Sequence, residues 1–326
     1  MFNPKIESKN SKINCLVTGG AGFIGSHLVD YLVKQGYKVR ILDNLYSGSM
    51  INLDHHEGNP DVQFFKKDIC APDLEEIFED VDKVFHLAAI PRVQRSFREP
   101  EETHRVNVFG TMNILEHAKN ASVSRFVLSS SSSIYGEQPT PFKESFAPSP
   151  MSPYARQKLQ AETYAGLYNR IHGIDTACLR YFNVYGPRQN PTEGYACLIP
   201  KSIGRVLNGD PPLIYGDGEQ RRDFTYISDV VLATYQAGFS LNGTNTKRVF
   251  NIGCANSKSV NQVINQIVKG TGIEAVYLDP VREPKCTEAD ITNARKYLSW
   301  EPSVSLEDGL ELTKKSIEKK LERAKH

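Results

Sequence analysis

The sequence predicts an α/β fold, a doubly wound parallel sheet of the Rossmann type with a smaller mixed C-terminal domain. Three observations support this prediction. Short apolar runs alternate with longer amphipathic runs from Ile13 to Tyr181. A glycine-rich turn joins the first apolar run to the first amphipathic run, and the alternation ends after Tyr181. Such alternation is typical of a parallel sheet covered on both faces, with ligands at the carboxyl ends of its strands.

Six apolar runs are predicted as buried strands, and helices are predicted between several of them. The strands are Ile13–Thr18, Lys38–Asp43, Val62–Phe65, Val84–Ala88, Phe126–Ser130 and Thr176–Tyr181. The helices are Phe23–Gln35, Glu101–Ala121 and Pro153–His172. Gly36 and Gly173 close the first and third helices, as glycine commonly does just past a helix end.

Weaker patterns follow Tyr181. They predict a loop rich in Gly, Pro and Asn over 183–194, a helix over Leu198–Leu207, a strand over Val249–Ile252 and a packed terminal helix over Leu306–Leu321. We therefore expect a NAD-binding domain over 1–182, with return elements near 225–255. A second domain that binds the substrate is expected over 183–326.

Composition excludes several classes of function. The chain has 326 residues, 40% of them hydrophobic, with a formal net charge of +1, which argues against a nucleic-acid partner. Six scattered cysteines without a C-x-x-C pair favour free thiols in a reducing compartment. No apolar run approaches the roughly 18 residues of a membrane span, and the start lacks a signal-peptide core. A cytoplasmic protein without a membrane partner is expected.

A glycine-rich turn between the first strand and the first helix predicts a dinucleotide site. Gly20, Gly22 and Gly25 satisfy G-x-G-x-x-G, and Gly19, Gly22 and Gly25 satisfy G-x-x-G-x-x-G. Glycines there permit a tight turn and bring a pyrophosphate to the N–H groups of a helix N-terminus. The next strand ends in Asp43, whose carboxylate would bind ribose hydroxyls and repel a 2′-phosphate. NAD is therefore predicted over NADP.

Other cofactor contacts are predicted with less specific signals. Asp68 and Ile69 follow the third strand, where an ordinary loop explains them equally well. Ala88 and Ala89 end the fourth strand, where small side chains would let a cofactor lie close. Asn107 lies inside a predicted helix, so either a buried polar network or, more commonly, solvent exposure accounts for it.

A tyrosine and a lysine one helical turn apart predict acid–base chemistry. Ser152 is a good N-cap and Pro153 suits the first helical position, so Tyr154 and Lys158 project from one face of the same helix. A fixed ammonium beside a phenol favours the phenolate and lowers a pKa that is roughly 10 when unperturbed. Such a pair can transfer protons to and from alcohols, although the spacing alone is common on helix surfaces.

Together these motifs resemble the extended short-chain dehydrogenase/reductase family, and within it the UDP-hexose 4-epimerases. The resemblance runs from about Ile13 to Leu310. It is carried by Thr18–Gly25, Asp43–Leu45, His86–Ala89, Asn107–Thr111, Ser129–Gly136, Ser152–Tyr154 with Lys158, Leu179–Pro187, Arg222–Phe224 and Ala289–Ile291. The resemblance also implies a homodimer formed through the helices Glu101–Ala121 and Pro153–His172.

The resemblance implies three sets of site residues and no metal ion. The catalytic residues would be Ser131, Tyr154 as the base, and Lys158. Tyr154 and Lys158 would also contact NAD, together with Gly19, Gly22, Phe23, Ile24, Gly25, Asp43, Asn44, Asp68, Ile69, Leu87, Ala88, Ala89, Asn107, Ser129 and Tyr181. The UDP-sugar would contact Ser131, Ser133, Tyr154, Asn183, Cys197, Leu198, Arg222, Arg282 and Thr287.

The implied activity is NAD-dependent 4-epimerisation of a UDP-hexose through a transient 4-keto sugar. Related dehydratases carry an Asp-Glu pair after the catalytic Ser or Thr, and decarboxylases carry a nearby Glu. Ser132 and Ser133 occupy those positions here, which favours the plain epimerase. Small side chains at Cys197, within Tyr195–Pro200, and at Thr287 favour UDP-GlcNAc and UDP-GalNAc, with UDP-Glc and UDP-Gal as further substrates.

Two departures from the family pattern leave alternatives open. Arg282–Lys285 replaces the usual Arg-Pro-Gly-Asp and lies two residues closer to Asp290. The loop Pro91–Ser96 is also atypical. Arg92 or Arg95 would contact the sugar or phosphate there, and would suit an acidic sugar, but simple exposure to solvent explains both arginines equally well. The alternatives are a UDP-glucuronate epimerase or decarboxylase, or an NAD-binding regulator without enzymatic activity.

Overall fold

The computed structural model describes residues 12–91, 93–190, 197–240, 248–281 and 283–323. Its strands are β1 (Asn14–Thr18), β2 (Lys38–Leu42), β3 (Val62–Phe65), β4 (Lys83–His86), β5 (Arg125–Ser131), β6 (Asp175–Tyr181), β7 (Val184–Tyr185), β8 (Leu213–Tyr215), β9 (Arg221–Arg222), β10 (Thr225–Tyr226), β11 (Val249–Ile252), β12 (Lys258–Ser259) and β13 (Val276–Leu278). Its helices are α1 (Phe23–Lys34), α2 (Glu75–Phe78), α3 (Val93–Arg98), α4 (Pro100–His104), α5 (Thr111–Asn120), α6 (Pro153–His172), α7 (Leu198–Leu207), α8 (Ile227–Phe239), α9 (Val260–Val268) and α10 (Leu306–Arg323).

Seven strands form one parallel sheet in the order β11-β6-β5-β4-β1-β2-β3. The chain begins at β1 in the interior, runs outward to β3, and then crosses back to β4 on the other side of β1. Ligands bind at this kind of reversal, outside the carboxyl ends of the strands. The predicted doubly wound parallel sheet is confirmed.

The sheet is buried on both faces, which explains its continuous apolar strands. One face packs into a core that includes Leu28 and Leu32 of α1 and Val230 of α8. The other face packs against Ile114 of α5 and Ala161 of α6. The interior strand β1 is inaccessible to solvent from its second residue, Cys15, to its last, Thr18. The sheet therefore holds the carboxyl ends of its strands rigidly in place.

Elements late in the chain return to this sheet. The strand β11 pairs with β6, and α8 packs against α1. These elements fall within the predicted return segment 225–255, and the division into domains at residue 182 stays a prediction. The remaining short strands pair in three two-stranded sheets: β7 with β10, β9 with β12, and β8 with β13.

The main difference from the predicted elements concerns the helix expected over Glu101–Ala121. It is divided into α4, a wide π-helical turn over Arg105–Gly110, and α5. The wide turn contains Asn107, whose side chain bonds inward to the protein. The sequence patterns also missed α2, α3, α8 and α9. Every helix in the described part of the chain is too short or too polar to span a bilayer.

Candidate active site

A cavity of about 1670 Å³ opens at the carboxyl ends of the parallel strands. Among the residues that the structure describes, all the predicted site residues except Asn107 and Leu198 lie in its wall. Those in the wall are Gly19, Gly22, Phe23, Ile24, Gly25, Asp43, Asn44, Asp68, Ile69, Leu87, Ala88, Ala89, Ser129, Ser131, Ser133, Tyr154, Lys158, Tyr181, Asn183, Cys197, Arg222 and Thr287. Arg282 and Arg92, like Tyr195 and Ala196, lie outside the described residues.

The glycine turn is so tight that Gly19 and Gly25 have no space for a Cβ atom. Gly19 has a φ of +70°, and a Cβ there would lie 2.8 Å from the backbone nitrogen of Ala88. A Cβ on Gly25 would lie 2.1 Å from the carbonyl oxygen of Gly19. The N–H of Gly22 bonds that same oxygen at 3.1 Å, just before α1 begins. The turn therefore presents the N-terminus of α1 to the cavity, where an anion is stabilised.

Asp43 connects the end of β2 to the glycine turn. Its carboxylate accepts the N–H of Ala21 at 3.0 Å and the N–H of Leu45 at 2.8 Å. Burial raises the pKa of Asp43, and these two hydrogen bonds oppose the rise. They occupy only part of the acceptor capacity of a carboxylate, which has about four lone-pair positions.

The loop after β3 forms the adjoining wall. Asn44 donates to Asp68 Oδ2 at 3.1 Å, and the N–H of Cys70 donates to Asp68 Oδ1 at 2.8 Å. Burial raises the pKa of Asp68. These bonds and the charge of the nearby Arg105 lower it by more, so the pKa of Asp68 lies below its usual value. Asp68 is thus an ionised brace for the loop that carries Ile69.

Two predicted contacts do not face the cavity. The Asn107 amide is buried: it accepts the N–H of Ile90 at 2.8 Å, and it donates to Ile90 O at 3.2 Å and to Gln157 Oε1 at 2.9 Å. It therefore belongs to a polar network between the strand-end loop and α6, rather than to a direct ligand contact. Leu198 packs against the hydrophobic core at the start of α7. Its apolar side chain belongs to that core.

Ser131, Tyr154 and Lys158 meet on one wall. Ser152 caps α6 through a 3.1 Å bond from the N–H of Ala155, which fixes the start of the helix as predicted. Tyr154 is 8% exposed, and Ser131 is the neighbouring side chain that interacts with its phenol. The Lys158 ammonium donates to Ser129 O at 2.9 Å and lies 5.9 Å from the centre of the Tyr154 ring.

The expected lowering of the tyrosine pKa is wrong for the ligand-free chain. Burial raises the pKa of Tyr154 to about 12, the bond to Ser131 opposes the rise, and Cys197 adds to it. Burial also lowers the pKa of Lys158 to about 8, against the opposing effect of Glu162. Desolvation disfavours the charged form of both groups and is the largest cause of both pKa shifts.

Ser133 orients the predicted catalytic serine. The Ser133 hydroxyl donates to Ser131 Oγ at 2.9 Å, and the Ser133 N–H lies 3.2 Å from the same oxygen. Ser131 is the last residue of β5 and the N-cap of a short 3₁₀ turn over Ser132–Tyr135. The positions that hold acids in related dehydratases therefore carry hydroxyl groups here, and one of them bonds the serine directly.

A buried ion pair supports this wall and was missed by the sequence patterns. Glu162 accepts two bonds from Arg180, at 3.0 and 2.8 Å, and one from Ser130 at 2.5 Å. The Arg180 guanidinium also lies 4.7 Å from the centre of the Tyr135 ring. Both ionic side chains are almost fully buried, so each depends on the other for compensation of its charge.

The far wall carries the groups predicted for the UDP-sugar. Arg222 forms an ion pair with Glu283 at 2.7 Å, and both residues line the cavity. The Thr287 hydroxyl is buried and has no hydrogen-bond partner within the described ranges. Asn183 and Cys197 are exposed to the cavity. Cys15, Cys70, Cys178, Cys254 and Cys286 are free thiols, as their spacing predicted.

Comparison with known proteins agrees with this geometry. The model of the NAD dependent epimerase/dehydratase family matches residues 15–253. The chain belongs to this family. The resemblance to extended short-chain dehydrogenase/reductases is thereby confirmed, and NAD is the cofactor, as predicted.

Relatives of the chain span its whole fold. A candidate UDP-glucose 4-epimerase of Methanocaldococcus jannaschii is 42% identical over 303 residues, which cover 90% of this chain and 95% of that protein. A solved UDP-N-acetylglucosamine 4-epimerase from Methanobrevibacter ruminantium M1, in complex with UDP-N-acetylmuramic acid, has a TM-score of 0.90 and 39% identity, covering 95% and 100% of the two chains. A UDP-glucuronic acid 4-epimerase from Bacillus cereus, solved with UDP-glucuronic acid and NAD, has a TM-score of 0.86 and 36% identity, covering 94% and 99%.

The residues of the cavity fit NAD. The cradle formed by Gly19 and Gly25 would be filled by any Cβ, and it faces the N-terminus of α1, where a pyrophosphate is favoured. Asp43 stands at the end of β2, the position from which a carboxylate binds ribose hydroxyls. Lys158 and Tyr181 line the same cavity.

Proposed function

We propose that this enzyme inverts the configuration at carbon 4 of a UDP-hexose. The proposal depends on one observation, the placement of Ser131, Tyr154 and Lys158 in a single cavity with the glycine turn. Bound NAD supplies a hydride acceptor that becomes a hydride donor, so the overall reaction is redox-neutral. The residues of the chain then have to bind the sugar and move one proton.

Tyr154 is the proposed base that accepts this proton. The phenol is protonated at neutral pH in the ligand-free chain because its pKa is about 12. It must release this proton to the solvent of the cavity before it can accept the proton of the sugar 4-hydroxyl, which it returns to the same sugar oxygen at the end of the reaction. The Ser131 hydroxyl and the Lys158 ammonium are the neighbouring groups that stabilise the phenolate, and Ser131 can also bond the sugar oxygen. Acid–base placement of this kind is typically worth about 10²–10⁴-fold in rate.

Arg222 is proposed to bind the diphosphate. Its planar guanidinium can bond two phosphate oxygens through two parallel N–H donors held in a fixed geometry, which the ammonium of a lysine lacks. In the ligand-free chain that guanidinium is paired with Glu283, so the diphosphate has to compete with this carboxylate. The unpartnered hydroxyl of Thr287 is a further donor on the same wall.

UDP-GlcNAc and UDP-GalNAc are the proposed preferred substrates, with UDP-Glc and UDP-Gal also accepted. Cys197 and Thr287 present small side chains to the cavity, which leaves room for an acetamido group. The solved relative from Methanobrevibacter ruminantium M1, named a UDP-N-acetylglucosamine 4-epimerase, supports this preference.

UDP-glucuronate is the second candidate substrate, because the Bacillus cereus relative was solved with UDP-glucuronic acid. Arg95 lines the cavity and would suit a carboxylate. However, its guanidinium already donates two bonds to Glu99, at 2.9 and 2.6 Å, and lies 4.8 Å from the centre of the Tyr46 ring. An acidic sugar would have to displace Glu99, so the neutral sugars are favoured.

A panel of UDP-sugars tests the proposal. The purified chain with NAD is incubated separately with UDP-GlcNAc, UDP-Glc and UDP-glucuronate, and the products are identified by NMR. Interconversion of UDP-GlcNAc and UDP-GalNAc without net change in NADH is expected. Preferred conversion of UDP-glucuronate would reassign the substrate, and release of carbon dioxide from it would identify a decarboxylase. No conversion of any sugar would contradict the proposed function.

A further inference from the structure

Two imidazoles and a carboxylate converge outside the wall of the cavity. His55 and His56 lie on the 3₁₀ turn Asp54–His56, between β2 and β3, and Asp30 lies on α1. His55 Nε2 is 2.7 Å and His56 Nε2 is 2.8 Å from the same atom, Asp30 Oδ1. The two imidazole rings are adjacent, with 4.2 Å between their centres.

One ion can reach all three groups, because their ligand atoms lie within 4.8 Å of one another. Imidazole nitrogen suits Zn²⁺ and its neighbours in the first transition row, whereas Mg²⁺ and Ca²⁺ prefer sites made only of oxygen. Three protein ligands leave a fourth position of a tetrahedral ion for water. We propose that Asp30, His55 and His56 bind a divalent transition-metal ion of the Zn²⁺ type.

The groups around the ligands are placed as in a metal site. His55 Nδ1, the nitrogen that faces away from Asp30, lies 3.5 Å from Asp54 Oδ1. Asp30 Oδ2, the oxygen not shared by the histidines, accepts a 2.6 Å bond from Arg188. Carboxylates on the far nitrogen of a ligating histidine, and donors to a ligating carboxylate, orient the ligands of metal ions.

Without an ion, the same contacts are hydrogen bonds within the chain. Each imidazole then donates its Nε2–H to Asp30 Oδ1, whose two lone pairs accept both. An ion at this point replaces the two protons, which is the exchange that accompanies metal binding by histidine. The Arg188 guanidinium opposes a cation, so the affinity is expected to be lower than that of a closed structural zinc site.

The site would brace the outside of the cofactor-binding turn. Asn52, on the same segment as the histidines, donates to the carbonyl oxygen of Ala21 at 2.9 Å. An ion held between this segment and α1 therefore ties together two parts of the chain that flank the glycine turn. Because it binds only the folded chain in this geometry, it should stabilise the fold by mass action.

Calorimetric titration of the tag-free, chelator-treated full chain with ZnCl₂ tests the proposal. One saturable site per chain is expected, with no heat of binding for MgCl₂. His55→Ala and His56→Ala should each weaken Zn²⁺ binding at least about tenfold. His55 is largely exposed, so its loss should leave the fold intact. The exposed His104 provides the matched control, and His104→Ala should bind Zn²⁺ like the unaltered chain.

Thermal unfolding gives a second readout that does not depend on turnover, so it stands apart from the proposed function. Saturating ZnCl₂ should raise the Tm of the unaltered chain and of His104→Ala, and leave the Tm of His55→Ala unchanged. Absence of a saturable site would overturn the proposal. An equal loss of affinity in His104→Ala would also overturn it, because binding would then be unspecific.

Discussion

Tyr154, Lys158 and Glu162 occupy successive turns of α6 on one face of the helix. The spacing alone predicted the first two as a pair, but it could not give their ionisation. Burial keeps Tyr154 protonated and brings the pKa of Lys158 to about 8, while Glu162 acts against the second shift. The chemistry of the pair therefore depends on a carboxylate that no motif singled out.

His86 at the end of β4 carries a prediction on acid stability. It is buried between Thr18 at 2.8 Å and Thr111 at 3.0 Å, and burial lowers its pKa from 6.5 to about 3. The unfolded chain binds a proton below pH 6.5 that the folded chain does not, so stability is lost as the pH falls through this range. This single group should cost roughly 1.5 kcal/mol between pH 6.5 and 5.

His86→Gln, which cannot ionise, should remove that part of the pH dependence. Denaturant unfolding of both proteins at several pH values measures it, and the comparison uses slopes rather than absolute stabilities. Identical slopes for the two proteins would contradict the assignment.

The Arg222–Glu283 pair carries a prediction on substrate affinity. Glu283→Gln frees the guanidinium for the diphosphate, so the KM for the UDP-sugar should fall about 1.4- to fivefold, in line with the ~0.2–1 kcal/mol of partly exposed ion pairs. Steady-state kinetics measures this. Glu301→Gln, which breaks the exposed Arg295–Glu301 pair outside the cavity, is the control and should leave KM unchanged. A raised KM in Glu283→Gln would show that Glu283 assists binding.

At the level of elements, the sequence predicted the ends of a helix correctly where neighbouring residues determine them. The helix α6 begins after Ser152 and ends at His172 before Gly173, which adopts φ +74°, as predicted. The helix expected over Glu101–Ala121 contains a π-helical turn instead, because Asn107 bonds Ile90 and Gln157. Those partners are 17 and 50 residues away in the sequence, so no local pattern could reveal them.

The same limit applies to the site. The glycine turn and Tyr154 with Lys158 are each contained in a few consecutive residues, so the sequence could place them. The pairs Glu162–Arg180 and Arg222–Glu283 join distant segments, and only the fold brings each together.

The glycine turn carries a prediction at this scale. Gly25→Ala places a Cβ 2.1 Å from the Gly19 oxygen, so the turn must open and NAD binding should be lost. Gly166→Ala makes the same change on the exposed face of α6, where nothing lies within 4 Å. It should raise the free energy of unfolding by about 0.5–1 kcal/mol and leave NAD binding unchanged. Calorimetric titration with NAD distinguishes the two, and undiminished binding by Gly25→Ala would contradict the turn's role.

At the scale of the whole molecule, one cavity joins the glycine turn, contributed early in the chain, to Arg222 and Thr287, contributed late. The return of α8 and β11 to the sheet connects these parts. Segment 225–255 was predicted to return, but its helix had no recognised signal in the sequence.

A homodimer through the region of α4 to α6 stays a proposal, supported by apolar side chains exposed there. Phe109 is 48% exposed and Ile171 is 62% exposed. Sedimentation should give a dimer for the unaltered chain, and Phe109→Glu should shift the equilibrium towards monomer because it buries a charge in the interface. A monomer for the unaltered chain at all concentrations would contradict the proposal.

Conversion of UDP-GlcNAc by Tyr154→Phe is the most direct measurement of the central claim. The substitution removes one hydroxyl from the wall that also holds Ser131 and Lys158, and leaves the ring in place. Activity should fall by at least about 10²-fold, while calorimetry should detect nearly unchanged binding of the UDP-sugar. Activity close to that of the unaltered chain would contradict the account, because proton transfer would then not pass through this phenol.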